Sequence, residues 1–247
     1  MNNGNKIADP DSREENSVKK MFSRVAPFYD AANRAMTFGL DVLWRRRLVR
    51  ALFPRGAAGA KTVADIACGS GDVALEIAAK YPDAEIKCAD FCKPMLEIAA
   101  KKFAKKRPYA KVEFVEADCE NLPFGDAVFD GATISFGFRN FRNRPACLRE
   151  IFRTLKPDAR LCVLEVCRAR GAFAAAQKIF MGKFVPLAAS LCGGVRADYE
   201  YLAETTLAYP PREEIEKMFL DAGFESVSTR PMAFGLVAIT AGQKGKK

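Results

Sequence analysis

The chain has 247 residues, a length that suits one α/β domain with added helices or at most two small domains. Hydrophobic residues make up 49% and charged residues 28%, a balance that excludes disordered and fibrous classes and lets the chain bury a core without disulfides. Lys and Arg outnumber Asp and Glu by 39 to 30, and there is no histidine, so the side chain most used for proton transfer is excluded from any mechanism.

The chain opens on "MNNGNKIADPDSREEN", which is polar and has no apolar stretch of the signal-peptide kind, so no leader is expected and residues 1–16 are read as unstructured. From Ser17 to Phe53 the apolar spacing is helical and amphipathic, with breaks at Pro27 and Gly39. These helices form an N-terminal lid on a single domain over 17–247. "AGAKTVADIAC" reads as a turn and a buried strand, after which strand-like and helix-like runs alternate. "EIKCADF", "VEFVEADC", "FDGATISF" and "RLCVLEVC" are the next four strands. Helical patterns fall at 72–80, 93–106 and 144–155, and "LKPDAR" (Leu155 to Arg160) is a proline-containing turn. An apolar, helical insertion over 168–210 interrupts the alternation. "PREEIEKMFLDAGF" is an amphipathic helix with Gly223 just past its end, and "ESVSTRPMAFGLVAITAGQ" supplies two closing strands joined too tightly for a crossover. The fold class is therefore α/β: a doubly wound, mostly parallel seven-stranded sheet with N-terminal helices and a helical insertion before the last two strands. In such a sheet the ligand sits at the carboxyl ends of the strands, by the topological switch point.

Eight cysteines are scattered with no C-x-x-C pair, which fits reduced core thiols and no metal site. The cationic runs "WRRRLVR" (Trp44 to Arg50) and "KKFAKKR" (Lys101 to Arg107) fit solvated helix faces, an anionic membrane surface or nucleic acid. No nucleic-acid motif accompanies them, so no nucleic-acid partner is expected.

The motif that carries chemistry is "VADIACGSGDVALEIA", Val63 to Ala78: a strand, then Gly69-Ser70-Gly71, then a helix. Glycines let the backbone turn tightly and approach a ligand; a purely structural turn and a dinucleotide fingerprint both fit the same letters. Asp72 in the first helical turn disfavours a pyrophosphate and tolerates a cation, which points to S-adenosylmethionine, with Asp65 adding negative charge by the loop. Asp90 ends the second strand, where a carboxylate can accept both ribose hydroxyls or cap a helix. A helix starting near Lys93-Pro94 favours the ribose. Asp118 ends the third strand; its side chain and the amide of Cys119 suit an adenine edge, with Leu122 to Phe124 as an apolar wall.

The sequence resembles the ubiquinone/menaquinone biosynthesis C-methyltransferases, within the Rossmann-like class I S-adenosylmethionine-dependent methyltransferases, from about Val18 to Gly242. The resemblance rests on "DIACGSGD", "LPFGDAVFD", "MFSRVAPFYDAANRAMTFGLDVLWRRR", "TISFGFRNF" and "DYEYLAETTLAYPPREEIEKMFLDAGFESV". It implies cofactor contacts at Ser70, Asp90, Asp118, Cys119 and Ser135, beside Gly69 and Gly71, and an acceptor side at Arg139 and Asn140. It further implies C-methylation of a polyprenylated quinol in menaquinone or ubiquinone biosynthesis by a cytoplasmic enzyme meeting the inner face of the membrane, and leaves a homo-oligomer open. Asp41 stands where this family often has histidine. Arg139 is expected to stabilise a phenolate and Asn140 to orient the ring, with Tyr29 and Asp30 positioning a hydroxyl or relaying its proton. A strand-end cap or a pairing with Glu165 is the competing role for Arg139. Another methyltransferase of this fold acting on a small molecule or RNA, and a non-catalytic adaptor, are the competing readings of the whole chain.

Overall fold

In the computed structural model the described residues are 10–54, 56, 59, 61–169, 172–184 and 196–246. Seven strands form one sheet: β1 (Thr62–Ile66), β2 (Glu85–Asp90), β3 (Lys111–Glu116), β4 (Phe129–Ser135), β5 (Leu155–Val166), β6 (Glu225–Met232) and β7 (Val237–Gln243), in the order β3-β2-β1-β4-β5-β7-β6. The first five run parallel, and β7 is antiparallel to both β5 and β6, as the short 233–235 connection requires. The chain first winds from β1 outward to β3 and then restarts on the other side of β1 with β4. The switch point therefore lies between the carboxyl ends of β1 and β4.

Central strands of a sheet covered on both faces are apolar throughout, and β1 shows why. Val63 enters one core with Leu48, Leu52, Val73 and Ile77, while Ala64 and Ile66 enter the other with Phe129, Ile134, Leu148 and Phe219. Helices α3 (Leu40–Leu52), α4 (Asp72–Lys80) and α5 (Lys93–Lys106) cover the first face. Helices α6 (Arg144–Thr154) and α9 (Arg212–Asp221) cover the second. β6, the outer strand, is largely exposed and carries Pro231, a residue that edge positions tolerate.

Two local expectations shift. Helix α1 (Pro10–Val25) begins inside the segment read as unstructured, because Pro10 occupies the first helical turn, where its missing N–H costs nothing. Residues 1–9 of that segment lie outside the described residues. The "LKPDAR" turn is a bulge within β5 instead: Phe129 faces Leu155 and Gly131 faces Arg160, and Asp158 adopts φ 67° between them. The breaks at Pro27 and Gly39 separate α1, α2 (Tyr29–Met36) and α3, with Gly39 at φ 77°. Within the insertion, α7 (Ala172–Ile179), a π turn over 180–184 and α8 (Arg196–Leu207) are helical; residues 185–195 lie outside the described residues.

Candidate active site

A cavity of about 410 Å³ opens at the switch point. Gly69, at φ 53°, lines it and turns its N–H to Asp90 Oδ2 at 2.8 Å. Two residues on, Gly71 is required for a different reason: a Cβ there would lie 2.9 Å from Ala99 Cβ on α5. Asp90 also accepts the Cys92 N–H at 2.8 Å, and burial still pushes its carboxyl up to about 6. Asp118, Cys119 and Leu122 line the cavity after β3, with Asp118 Oδ1 accepting the Glu120 N–H at 2.9 Å. Asp90, Asp118 and Cys119 therefore share one wall, beside Gly69.

The opposite wall is the end of β4 and the 3-10 turn Phe138–Asn140. Ser135, Arg139 and Asn140 all face the cavity. Glu165, near the end of β5, clamps the turn: its Oε2 accepts the Arg139 N–H at 3.0 Å and its Oε1 accepts Arg139 Nη1 at 2.7 Å. Nη1 also reaches the Phe136 carbonyl at 2.6 Å. The Glu165 pairing thus exists, and it coexists with the cavity-facing position. Arg139 Nε, Asn140 Oδ1 and Ser135 Oγ are buried with no hydrogen-bond partner, three orphans around one cavity. Buried polar atoms are nearly always satisfied, so three orphans on residues that line one cavity call for an explanation.

Other residues named from the sequence stand elsewhere. Ser70 Oγ donates to Asp30 Oδ1 at 2.5 Å, and Lys102 Nζ reaches that same Asp30 at 2.7 Å. Asp30 is thereby engaged away from the wall of Ser135, Arg139 and Asn140, whereas Tyr29 lines the cavity, its hydroxyl pKa raised by burial. Asp72 does not present a free charge to a ligand. It is paired with Arg45 at 2.9 Å and with Lys102, and these neighbours hold its carboxyl below the usual range despite burial. Asp41 closes the same network, accepting Arg45 at 2.5 Å and Arg34 at 3.0 Å. One arginine of the "WRRRLVR" run is therefore buried framework rather than solvated charge. Asp65 faces inward, accepting from Thr133 Oγ1 at 2.8 Å and the Ala74 N–H at 3.1 Å, and burial pushes it up to about 7.

Sequence reasoning missed several walls of the cavity: Val18 and Phe22 from α1, Cys147 from α6 and Tyr201 from α8. The apolar spacing of 17–25 marked a helix but not which side it would cover, and Tyr201 lay in the 168–210 insertion, read as helical with no side chain singled out. Of the described cysteines, all are free thiols and only Cys167 is not buried. Cys192 lies outside the described residues.

A family model described as the ubiE/COQ5 methyltransferase family matches residues 10–244. The chain belongs to that family. It is 41% identical over 225 residues to a demethylmenaquinone methyltransferase of Thermus thermophilus, covering 91% of this chain and 100% of that protein. It is 37% identical over 233 residues to the ubiquinone/menaquinone biosynthesis C-methyltransferase UbiE of Geobacter sulfurreducens, covering 93% of this chain and 89% of that one. Among solved structures, a SAM-dependent methyltransferase from Thermotoga maritima shares the fold, with a TM-score of 0.64 at 19% identity over 91% of this chain and 98% of that one. The activity of this family member is S-adenosylmethionine-dependent methyl transfer to carbon. The first wall fits that cofactor: a glycine turn, a strand-end carboxylate at Asp90 for a ribose, and the Asp118–Cys119 corner for a base.

Proposed function

We propose that the protein methylates a ring carbon of a polyprenylated quinol. The observation that carries this reading is the cavity's division. A wall of glycine turn and strand-end acids faces a wall where Ser135 Oγ, Arg139 Nε and Asn140 Oδ1 are buried and unpartnered. A naphthoquinol of the demethylmenaquinol type is the acceptor supported best, because the Thermus thermophilus relative named for that substrate aligns over its full length. A benzoquinol is the second reading, favoured by the Geobacter sulfurreducens relative named for both pathways.

Gly69, Asp90, Asp118, Cys119 and Ser135 would hold S-adenosylmethionine, which supplies an electrophilic methyl group on a positively charged sulfur. Asp90 serves as its carboxylate, accepting hydroxyls while Gly69 and Cys92 hold it in place. Arg139 offers its Nε–H to the acceptor's phenolic oxygen, lowering that hydroxyl's pKa and so raising electron density on the neighbouring ring carbon. A reduced quinol suits this chemistry and an electron-poor quinone does not. Glu165 fixes the guanidinium by gripping both its Nη1 and the backbone beneath it. Asn140 orients the ring through Oδ1, which accepts from a second hydroxyl. Phe22, Phe136, Phe141 and Leu122 line the same space and keep water from it. With no histidine available, the phenolic proton leaves to water; Tyr29 lines the cavity, and burial, which raises its hydroxyl pKa, keeps it protonated, so it can pass a proton along but not hold one. The polyprenyl tail brings the reaction to the cytoplasmic face of a membrane; among the described residues no helix is long and apolar enough to cross one.

The test is direct. Purified protein is given S-adenosylmethionine and a short-tailed demethylmenaquinol, with the matching benzoquinol and the oxidised naphthoquinone in parallel, and product is read by mass spectrometry. Methylation of the reduced naphthoquinol above both others is expected. Transfer to none of them refutes the reading.

A further inference from the structure

Exposed phenylalanines cluster in one region of the surface. Phe38, at the corner between α2 and α3, stacks on Phe184 of the π turn with centroids 5.7 Å apart. Phe173 of α7 stacks on Phe234 of the β6–β7 turn at 5.6 Å. The segment from α7 to the π turn thus joins two distant turns through aromatic pairs. Phe38 and Phe234 remain 74% and 84% exposed, and each sits on left-handed backbone, at φ 51° and 56°. Bulky residues are rare there, and strain of this kind collects at functional positions. Packing within the chain does not account for it, since both rings stand mainly in solvent. Large exposed apolar patches mark interaction sites.

Charge identifies the partner. From Arg168 to Arg196 the sequence holds Arg168, Arg170, Lys178, Lys183 and Arg196 and no Asp or Glu. Lys178 and Lys183 are exposed beside the aromatic pairs. The inner side of α7 is pinned: Gln177 is buried, its Oε1 accepting the Ala169 N–H and its Nε2 donating to the Cys167 carbonyl, both at 2.8 Å. Phe173, Lys178 and Ile179 are left facing out. α8 packs against both the π turn and the 138–140 turn and places Tyr201 in the cavity, so this face adjoins the acceptor wall.

We propose that Phe38, Phe173, Phe184 and Phe234, with Lys178 and Lys183, form a docking face for a bilayer bearing anionic headgroups. The rings enter the interface and the lysines meet phosphate. A second copy of the chain fits worse, because a two-fold contact through this face would set its cations against themselves. The inference rests on the quinol reading, since a lipid-tailed acceptor is what gives the cavity a reason to open beside a membrane face.

The full chain is sedimented with vesicles of phosphatidylcholine alone or mixed with phosphatidylglycerol. Wild type is expected to pellet with the mixed vesicles and much less with the neutral ones. Phe38→Asn with Phe234→Asn is expected to weaken binding about tenfold or more, while the melting temperature holds or rises, because Asn tolerates left-handed backbone. Lys178→Gln and Lys183→Gln are each expected to cost roughly fivefold on the anionic vesicles only. Turnover of a short-tailed quinol in detergent is unchanged in all of these variants. Wild-type binding by the double Asn variant overturns the proposal, as does a wild-type dimer that the variants dissociate with no vesicle binding by either. Methylation of the short-tailed quinol by a protein that ignores vesicles sinks this inference alone. Vesicle binding without transfer to any quinol sinks the functional reading and leaves the docking face standing.

Discussion

Two buried arginines make opposite use of the same chemistry. Arg45 is held by Asp41 and Asp72, and Arg34 and Lys102 extend the network, so α2, α3, α4 and α5 are tied together behind the glycine turn. Arg139 is held by one carboxylate and one carbonyl, and its Nε is left without a partner in the cavity wall. Burial and ion pairing do not separate framework from function here. What differs is the unpartnered Nε of Arg139, which the proposed function gives to the substrate.

Breaking each pair should therefore fail in a different way. Arg45→Ala leaves Asp41 to Arg34, and Asp72 to Lys102 and Arg34, with their buried bonds to Arg45 lost. A loss of about 1.5–3 kcal/mol of stability is expected from removing charge-assisted hydrogen bonds of this kind, read by denaturant unfolding. Protein that remains folded should still transfer methyl groups. Arg139→Ala should do the reverse. Turnover should fall by roughly 10²–10³, the usual cost of removing a preorganised donor, while S-adenosylmethionine affinity by calorimetry stays nearly constant. Arg139→Lys should not rescue, because an ammonium cannot bond Glu165, the Phe136 carbonyl and a substrate oxygen in the fixed directions of a guanidinium. Unchanged turnover in Arg139→Ala would return that residue to the framework class.

Asp90→Ala sharpens the comparison on the cofactor wall. It removes an acceptor of two backbone N–H groups and of the ribose, so cofactor affinity should fall on the order of tenfold to a hundredfold at saturating quinol. A change in the quinol KM with unchanged cofactor affinity would reassign Asp90 to the acceptor side.

The sheet was legible because strand and helix periods alternate cleanly from Val63 to Val166, and because the short link after Met232 forces antiparallel closure. The grouping of Gly69, Asp90, Asp118 and Cys119 on one cavity was legible because each lies at or just past the carboxyl end of a parallel strand, whereas Ser70 and Gly71 do not line it. Asp72 misled because a first-turn carboxylate looks like a ligand-facing charge until α3 is docked. Its partner Arg45 lies 27 residues away, and no local pattern joins them. Tyr201 and Phe22 were illegible as site residues for the same reason: helix periodicity gives a buried side, but only the packing of α1 and α8 says what lies beneath it.

Asp65 and Asp90, on adjacent strands, give an effect with a definite sign. Burial raises both, to about 7 and about 6, above an ordinary carboxyl near 3.8. Between those values the folded state holds protons that the unfolded chain has released. The associated stability is fully present below about pH 4 and is lost as pH rises toward 7, on the order of 1.4 kcal/mol per pH unit for each group still protonated. Cofactor affinity runs the other way, because Asp90 must be ionised to accept both hydroxyls, so affinity should weaken as pH falls through about 6. Asp65→Asn should flatten the stability profile between about pH 4 and 7 and leave the pH dependence of cofactor binding in place. Asp90→Asn should remove that pH dependence. Should Asp65→Asn shift the binding profile instead, the inward-facing carboxylate, and not the strand-end one, governs the cofactor wall.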